Sequence, residues 1–535
     1  VNLLFSACAA MDSEWEDVLR EELAQDELAH QMHECDFIRT PSTADMSENE
    51  RGEGGESSGG SSGRRLPSTW WAAVLKAAGR HLGFDDISLS QSEHVNVLSA
   101  CTGCSAESWV LKALGIKFTV VSASDTDADY RAFVMENFPN EVEHMFSSIE
   151  DQLSVASERP SMCPCLTCRG KTEEVVCSTD VIVDLMVCGS PCDPFSVQRH
   201  KRHANGEVER HSLFNTTMRD MVRMFELYCP VVAITEQVAG FLRPFHKDTA
   251  ETPYDRLMLQ MQTASFKHGG YFVVKFELDA AVWIQMARPR CFFVFFRKDK
   301  FDKQQVKTFK TLVEDVLDWL LANHSPRSMT SLMLEESSPL FAEEWEQTNK
   351  QRRGASLQVP QKPQQWQLQS SRIRQEMGVG QSTKLWTSHP DLKLAGVPDN
   401  VRVKEVIDLA VYGYLGPELV PQLLQGGPVA ADGEALKAMC KDLLTDISQN
   451  PYRRTYTRKN GHAPCMTTAT SFYCHSRDRM VLPVEMLYFQ GHDLRMKIPR
   501  QMPRSSLQSL AGQGICLPVL ATLVFCLQNT NSLPV

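Results

Sequence analysis

Asp184-Leu185-Met186-Val187-Cys188-Gly189-Ser190-Pro191-Cys192-Asp193-Pro194-Phe195-Ser196 is the stretch around which the rest of this 535-residue chain can be ordered. Its apolar first half predicts a buried strand, and Gly-Ser-Pro predicts a tight turn. Such a turn delivers Cys192 to the carboxyl end of a sheet, where open α/β folds hold their ligands. The basic run Arg199-His200-Lys201-Arg202-His203 follows at once. Positive charge beside a cysteine favours its thiolate. A structural cysteine in a proline turn is the plainer use of the same residues.

Working outward, short β-rich runs recur at Val95–Ser99, Phe118–Ser122, Val181–Val187, Val231–Ile234, Tyr271–Phe276 and Phe292–Phe296. Helical-length segments at 105–115, 127–137 and 212–228 separate them. Buried strands alternating with helices predict a parallel-rich α/β sheet with crossovers. The last two runs are spaced as an antiparallel pair. After residue 300 the rhythm stops. Residues 345–385, rich in Gln, Ser and Arg, read as loop or linker. Helical periodicity returns over 400–450, and 452–500 read as basic loops with short strands.

The length suits two to four domains at roughly 150 residues each. With 42% apolar and 23% charged residues, collagen, coiled coil and wholesale disorder are excluded. No run reaches the ~18 apolar residues of a membrane helix; Cys516–Leu527 is too short. The net charge of −11 is uneven. Residues 1–60 hold 15 acidic and 3 basic residues, a net of −12, so the remainder sums to +1. Residues 441–510 carry 11 basic against 5 acidic residues, a net of +6, which keeps nucleic acid open as a partner. Residues 12–35 predict an acidic helix suited to a protein partner, and 40–65 a Gly/Ser linker. Folded structure is expected from Trp70–Trp71.

Seventeen cysteines are too few for a disulfide scaffold and favour a reducing compartment. The chain starts at Val1 rather than Met, as a fragment or a start assigned upstream of Met11 would. Val1–Ala10 lacks the basic residues of a secretory signal.

Three further segments sit where chemistry is expected. Leu98-Ser99-Ala100-Cys101-Thr102-Gly103-Cys104-Ser105 is a βα turn of small residues, which lets a cofactor approach the backbone and a helix start. An ordinary βα turn is the commoner use. Asp125 ends the next strand about 20 residues on, where a carboxylate accepts ribose hydroxyls; a helix N-cap is its plain alternative. Thr235-Glu236-Gln237-Val238 ends a neighbouring strand, and Glu236 faces Cys192 across the switch point or is simply solvated.

Taken in order, these segments resemble the cytosine-C5 DNA methyltransferases. That family has a Phe-x-Gly-x-Gly turn, an acidic residue after the second strand, a Pro-Cys-Gln loop, a Glu-Asn-Val strand end and a Gln-x-Arg-x-Arg strand. Here stand Leu98 to Gly103, Asp125, Pro191-Cys192-Asp193, Glu236-Gln237-Val238, and Arg288-Pro289-Arg290. Asn137-Phe138-Pro139 and Arg210 to Phe214 also fit. So do Pro464 to Thr468, Arg479 to Gly491 with Glu485 and Gln490, and Leu510 to Pro518. The chain departs from the pattern at Ala100, Thr102, Ser148, Asp193, Gln237 and Gln513, and Gln285 sits one place early.

The resemblance implies a Rossmann-like S-adenosylmethionine-dependent α/β sheet with a smaller, irregular recognition region. Residues 1–66 would be tail and linker, 67–300 the catalytic domain, 301–460 the recognition insert, and 461–535 the segment completing the catalytic domain. Implied cofactor contacts are Leu98, Ser99, Cys101, Gly103, Asp125, Thr126, Ile149 and Pro191. Cys192 would be the nucleophile toward cytosine C6. Glu236 would bind N3 and the amine, and Arg288 and Arg290 the base oxygen or phosphates. The implied partner is DNA, with the base flipped out. The protein would be a monomer, nuclear, or cytoplasmic in a prokaryote. Two rivals stay open: the same chemistry on RNA, and a catalytically degenerate nucleic-acid or chromatin binder. Cys163-Pro164-Cys165-Leu166-Thr167-Cys168 with Cys177 is not needed by the family; a free-thiol loop is favoured there over a zinc site.

Overall fold

In the computed structural model, seven strands form one sheet: β1 (Val95–Ala100), β2 (Phe118–Ser124), β3 (Met145–Phe146), β4 (Leu185–Cys188), β5 (Val232–Val238), β6 (Tyr271–Asp279) and β7 (Pro289–Arg297). The structure describes residues 69–84, 94–155, 164–168, 181–197, 199, 202, 204, 206–246, 248–349, 366–416, 419, 432–451 and 462–533 in full. For 156, 157, 350–354, 365, 417, 418 and 420–424 it describes the backbone alone. The predicted acidic helix at 12–35 and the linker at 40–65 lie outside these, as do Cys163, Cys177, His200, Lys201 and His203. Everything below concerns the unit Leu66–Val535.

The strand order is β3-β2-β1-β4-β5-β7-β6. The first five pair in parallel, and β7 runs antiparallel between β5 and β6. The antiparallel pair expected from spacing is therefore the β6–β7 hairpin. The strands read as unbroken apolar runs because both sheet faces are covered. In β7, Phe292, Val294 and Phe296 pack into one core, while Phe293 and Phe295 pack into the other. β3 is new to the sequence reading: two residues are too few to show a period. The predicted run at 181–187 is shorter than expected, since β4 begins only at Leu185.

Helix Lys303–Asn323 starts with a capping box between Asp302 and Gln305. It buries Phe309, Val313, Val316 and Leu320 in the same core as Phe276. The division expected at residue 300 thus falls just before a helix that packs with the sheet. Helix Leu517–Asn529 buries Leu517 to Gln528 without interruption, which is why that run is apolar all round. No single described helix is long and apolar enough to cross a membrane.

Residues 345–385, expected as loop, hold two helices, Pro339–Gly354 and Gln365–Glu376. They carry little apolar stripe to betray them, yet their Gln and Arg are good helix formers. Helix Gln365–Glu376 is held by the buried Arg374, which grips both carboxylate oxygens of Glu405 at 2.6 and 2.9 Å. Arg374 sits beside a separate small core built on Trp386, Val406, Ile407, Val411 and Tyr473. Helix Val401–Leu424 agrees with the periodicity read over 400–450. A three-stranded antiparallel sheet, β8 (Leu444–Asp446), β9 (Phe472–Cys474) and β10 (Arg479–Met480), accompanies it.

Candidate active site

The sheet register sets the site. Ala100 pairs with both Ser124 and Cys188, Ser124 with Phe146, and Cys188 with Thr235. Five parallel strands therefore reach one level. One residue past it stand Cys101, Asp125, Ser147, Gly189 and Glu236. Carboxyl ends of parallel strands are where α/β folds place ligands.

The turn after β1 is unusual in its backbone. Cys101, Gly103 and Ser105 have φ of +52°, +53° and +57°. Two of them are not glycine, and such left-handed residues cost about 1–3 kcal/mol each unless held in place. Thr102 does much of the holding. Its N–H and hydroxyl both donate to Ser124 O, at 2.9 and 3.1 Å. The hydroxyl that replaces a family glycine thus ties the turn to the end of β2. Asp125 binds the other side: Gly103 N–H donates to its Oδ2 (2.8 Å) and Asp127 N–H to its Oδ1 (2.9 Å). The N-cap of the next helix is Asp127 rather than Asp125, which leaves Asp125 free to face the turn. Burial raises the Asp125 pKa, opposed by these two N–H groups.

Leu98, Ser99 and Ile149 are buried, Asp125, Cys101, Gly103 and Pro191 half-buried, and Thr126 exposed. Each oxygen of Asp125 takes one N–H and keeps acceptor capacity, as a ribose diol requires. Small residues line the turn. This donor and acceptor set fits S-adenosylmethionine.

On the other side, Cys192 lies in the loop after β4. Gln237, where the family has Asn, buttresses that loop: its amide donates to Ser190 O and Ser190 Oγ, both at 2.8 Å. Thr217, in a π-helical turn (Thr216–Asp220), donates to Pro191 O at 3.4 Å. Gly240 passes so close that an added Cβ would lie 2.0 Å from Phe195 O. Arg202 is fully buried and spends its guanidinium on the carbonyls of Phe195, Pro244, Phe245, Gly240 and Arg243. It is an internal clamp for the loop, not the surface charge expected of the run at 199–203. Arg199 likewise turns to Glu207 and Pro194 O.

The positive charge at Cys192 comes instead from β7. Burial pushes the Cys192 thiol up to about 11, against Arg290 and Arg288 and with the help of Asp193 and Glu236. Burial thus works against the thiolate that positive charge beside a cysteine favours. Arg290 Nε lies 2.8 Å from Glu236 Oε1. Burial raises the Glu236 pKa, opposed by Arg290 and Arg288.

Arg288 is employed elsewhere. It is 2% exposed and donates to Met466 O (2.9 Å), Gly512 O (3.0 Å) and Gly514 O (2.7 Å). A guanidinium so engaged locks the C-terminal segment onto β7 rather than gripping a base. Gly512 is required there, since a Cβ would meet Thr467 backbone at 2.3 Å. Sequence reasoning also overlooked the thiol of Cys465, which both arginines approach at 3.7–3.8 Å. Burial works against its thiolate, but Arg290 and Arg288 outweigh it and lower its pKa. The signal was present: Cys465, like Cys192, follows a proline.

Farther along, Glu485 is wholly buried and bonded by Arg479 at 2.8 and 2.9 Å and by the N–H groups of Leu334 and Leu482. Gln490 donates to Ala511 O, and Trp71 Nε1 to Gly491 O. Part of the basic charge in 441–510 is neutralised within the chain. Arg477, Arg479, Arg495 and Arg504 pair with carboxylates, three of them on Glu335, Glu336 and Glu344 outside that stretch.

A seven-stranded sheet with its β7 reversed, a carboxylate-held turn after β1 and a Cys loop beside a buried Glu define a methyltransferase of the S-adenosylmethionine-dependent class. The C-5 cytosine-specific DNA methylase family matches residues 169–525, and the chain belongs to that family, whose members take their methyl group from S-adenosylmethionine. Solved structures similar to it include a Spodoptera frugiperda DNMT2 mutant, at 14% identity over 81% of this chain and 99% of that one, TM-score 0.39. A putative DNA modification methyltransferase encoded within an E. coli prophage matches at 14% identity over 82% and 99%, TM-score 0.39. Entamoeba histolytica methyltransferase EhMeth matches at 11% over 82% and 99%, TM-score 0.37. No curated protein sequence matches.

Proposed function

We propose that this chain methylates C5 of cytosine in DNA, with Cys192 as nucleophile. S-adenosylmethionine supplies an electrophilic methyl group. Cytosine C5 is a poor nucleophile until C6 is attacked. Cys192 gives its proton to water as the base enters, and Arg290 stabilises the thiolate so formed. Sγ then bonds to C6, and the displaced π electrons make C5 nucleophilic. Glu236, its pKa raised by burial, takes a proton from water as the base enters and presents it to N3, while its second oxygen accepts from the exocyclic amine. After C5 is methylated, water takes the C5 proton, the C5–H electrons restore the C5–C6 double bond, Sγ leaves as thiolate, and the N3 proton returns to Glu236. The base must leave the duplex to reach a thiol at the carboxyl end of the sheet.

The observation that carries this reading is the grouping of the Cys192 loop, Glu236 and Arg290 one step from the Asp125 turn, past a single row of strand ends. DNA is proposed over RNA because the matched family is a DNA methylase family. The test is transfer of labelled methyl from S-adenosylmethionine into separate DNA and tRNA pools. 5-Methylcytosine in DNA is expected. Label in RNA alone would overturn the choice of DNA, and label in neither would favour a binding protein without activity.

A further inference from the structure

The insertion between the helix Ile149–Ser157 and β4 returns to the sheet edge at Pro164–Cys168. There it docks on the two-residue edge strand β3. Leu166 N–H donates to Met145 O (2.8 Å), and the Thr167 hydroxyl donates to Glu143 O (2.8 Å). His144 immediately precedes β3 and is fixed through its backbone, its carbonyl accepting Ala123 N–H at 2.8 Å. Cys165 is fully buried against Phe146 and Val155, in a small core of its own.

Three soft donors meet at this edge. His144 Nδ1 lies 3.5 Å from Cys165 Sγ and 3.3 Å from Cys168 Sγ. All three ligand atoms fall within 4.8 Å of one another, and no other group of this kind occurs among the described residues. In a tetrahedral site, bonds of about 2.3 Å to sulfur and 2.0–2.1 Å to nitrogen set the S···N edge at about 3.5 Å. The two S···N separations, 3.5 and 3.3 Å, lie close to that edge. Thr167 Oγ1 lies 2.9 Å from Cys165 Sγ and so fixes that sulfur from the other side.

We propose that His144, Cys165 and Cys168 hold one structural zinc ion, a site separate from methyl transfer. The ion would bridge the insertion to β3, whose two residues give it little ladder of its own. Asp125 N–H donates to Phe146 O at 3.3 Å, so the same edge adjoins the cofactor turn.

The experiment is metal analysis of the whole chain purified without chelator, followed by cobalt(II) titration of the stripped protein. The expected result is one zinc per chain and, with cobalt, a thiolate charge-transfer band together with visible bands of tetrahedral intensity. Cys165→Ser combined with Cys168→Ser should lose both the zinc and the band. If that variant fails to fold, the cobalt spectrum of the unmutated chain decides, and His144→Gln should weaken or shift it. A metal-free protein with Cys165 and Cys168 joined as a disulfide would overturn the proposal. So would a full zinc equivalent retained by the folded double variant.

Discussion

Arg290 Nε and Glu236 Oε1 lie 2.8 Å apart, an ion pair with both side chains nearly closed off from water. The pair is what lets a carboxylate survive at the end of β5 beside a nucleophilic thiol. Taking away one partner of a buried pair strands the other, at a cost of about 3–5 kcal/mol. Arg290→Gln should therefore lower both the melting temperature and the methyl-transfer rate. It should also raise the Glu236 pKa further, since the guanidinium is the chief group holding it down. Differential scanning calorimetry and a pH–rate profile check this. A variant with unchanged melting temperature and profile would remove Arg290 from the site.

Cys192 should behave as a buried thiol in the free protein. With its pKa pushed up to about 11, alkylation by iodoacetamide should climb about tenfold per pH unit from pH 7 to 10. Cys465, whose pKa is lowered by Arg290 and Arg288, should level off at a lower pH. Peptide mass spectrometry resolves the two rates. A Cys192 rate already flat at pH 7 would mean a thiolate at rest.

Asp125 should govern cofactor affinity. Asp125→Ala removes a charged acceptor and frees the Gly103 and Asp127 amides, so binding should weaken by about 1.5–3 kcal/mol. Titration calorimetry with S-adenosylmethionine measures it directly. Equal affinity in both proteins would move the ribose site elsewhere.

Gly240→Ala should damage catalysis without touching the cofactor turn. A Cβ 2.0 Å from Phe195 O forces the Cys192 loop aside, and backbone cannot yield as a side chain does. The rate of methyl transfer should fall while S-adenosylmethionine affinity holds. Wild-type turnover would show that the loop tolerates the shift.

Much of this arrangement is legible in the chain itself, and what escapes has physical causes. The Phe292–Phe296 run could only be a strand covered on both faces, and the Cys192 turn could only follow a strand. Arg202 is expected as surface charge and Arg288 on the base oxygen or phosphates, because in a sequence arginine reads as charge turned toward solvent or ligand. Only the fold reveals that each is ringed by backbone carbonyls. The helices at 339–354 and 365–376 hid because they carry little apolar stripe. His144 was missed as a partner of Cys165 because 21 residues separate them and topology alone brings them together.

The central claim is that Cys192 attacks cytosine. DNA carrying 5-fluorocytosine should form a covalent adduct with the chain in the presence of S-adenosylmethionine, because fluorine at C5 does not leave as a proton does. The adduct should survive denaturation and map to the Cys192 peptide. Cys192→Ser should abolish it, since a hydroxyl is a far weaker nucleophile than a thiolate near neutral pH. An adduct that persists in Cys192→Ser, or maps to Cys465, would contradict the account.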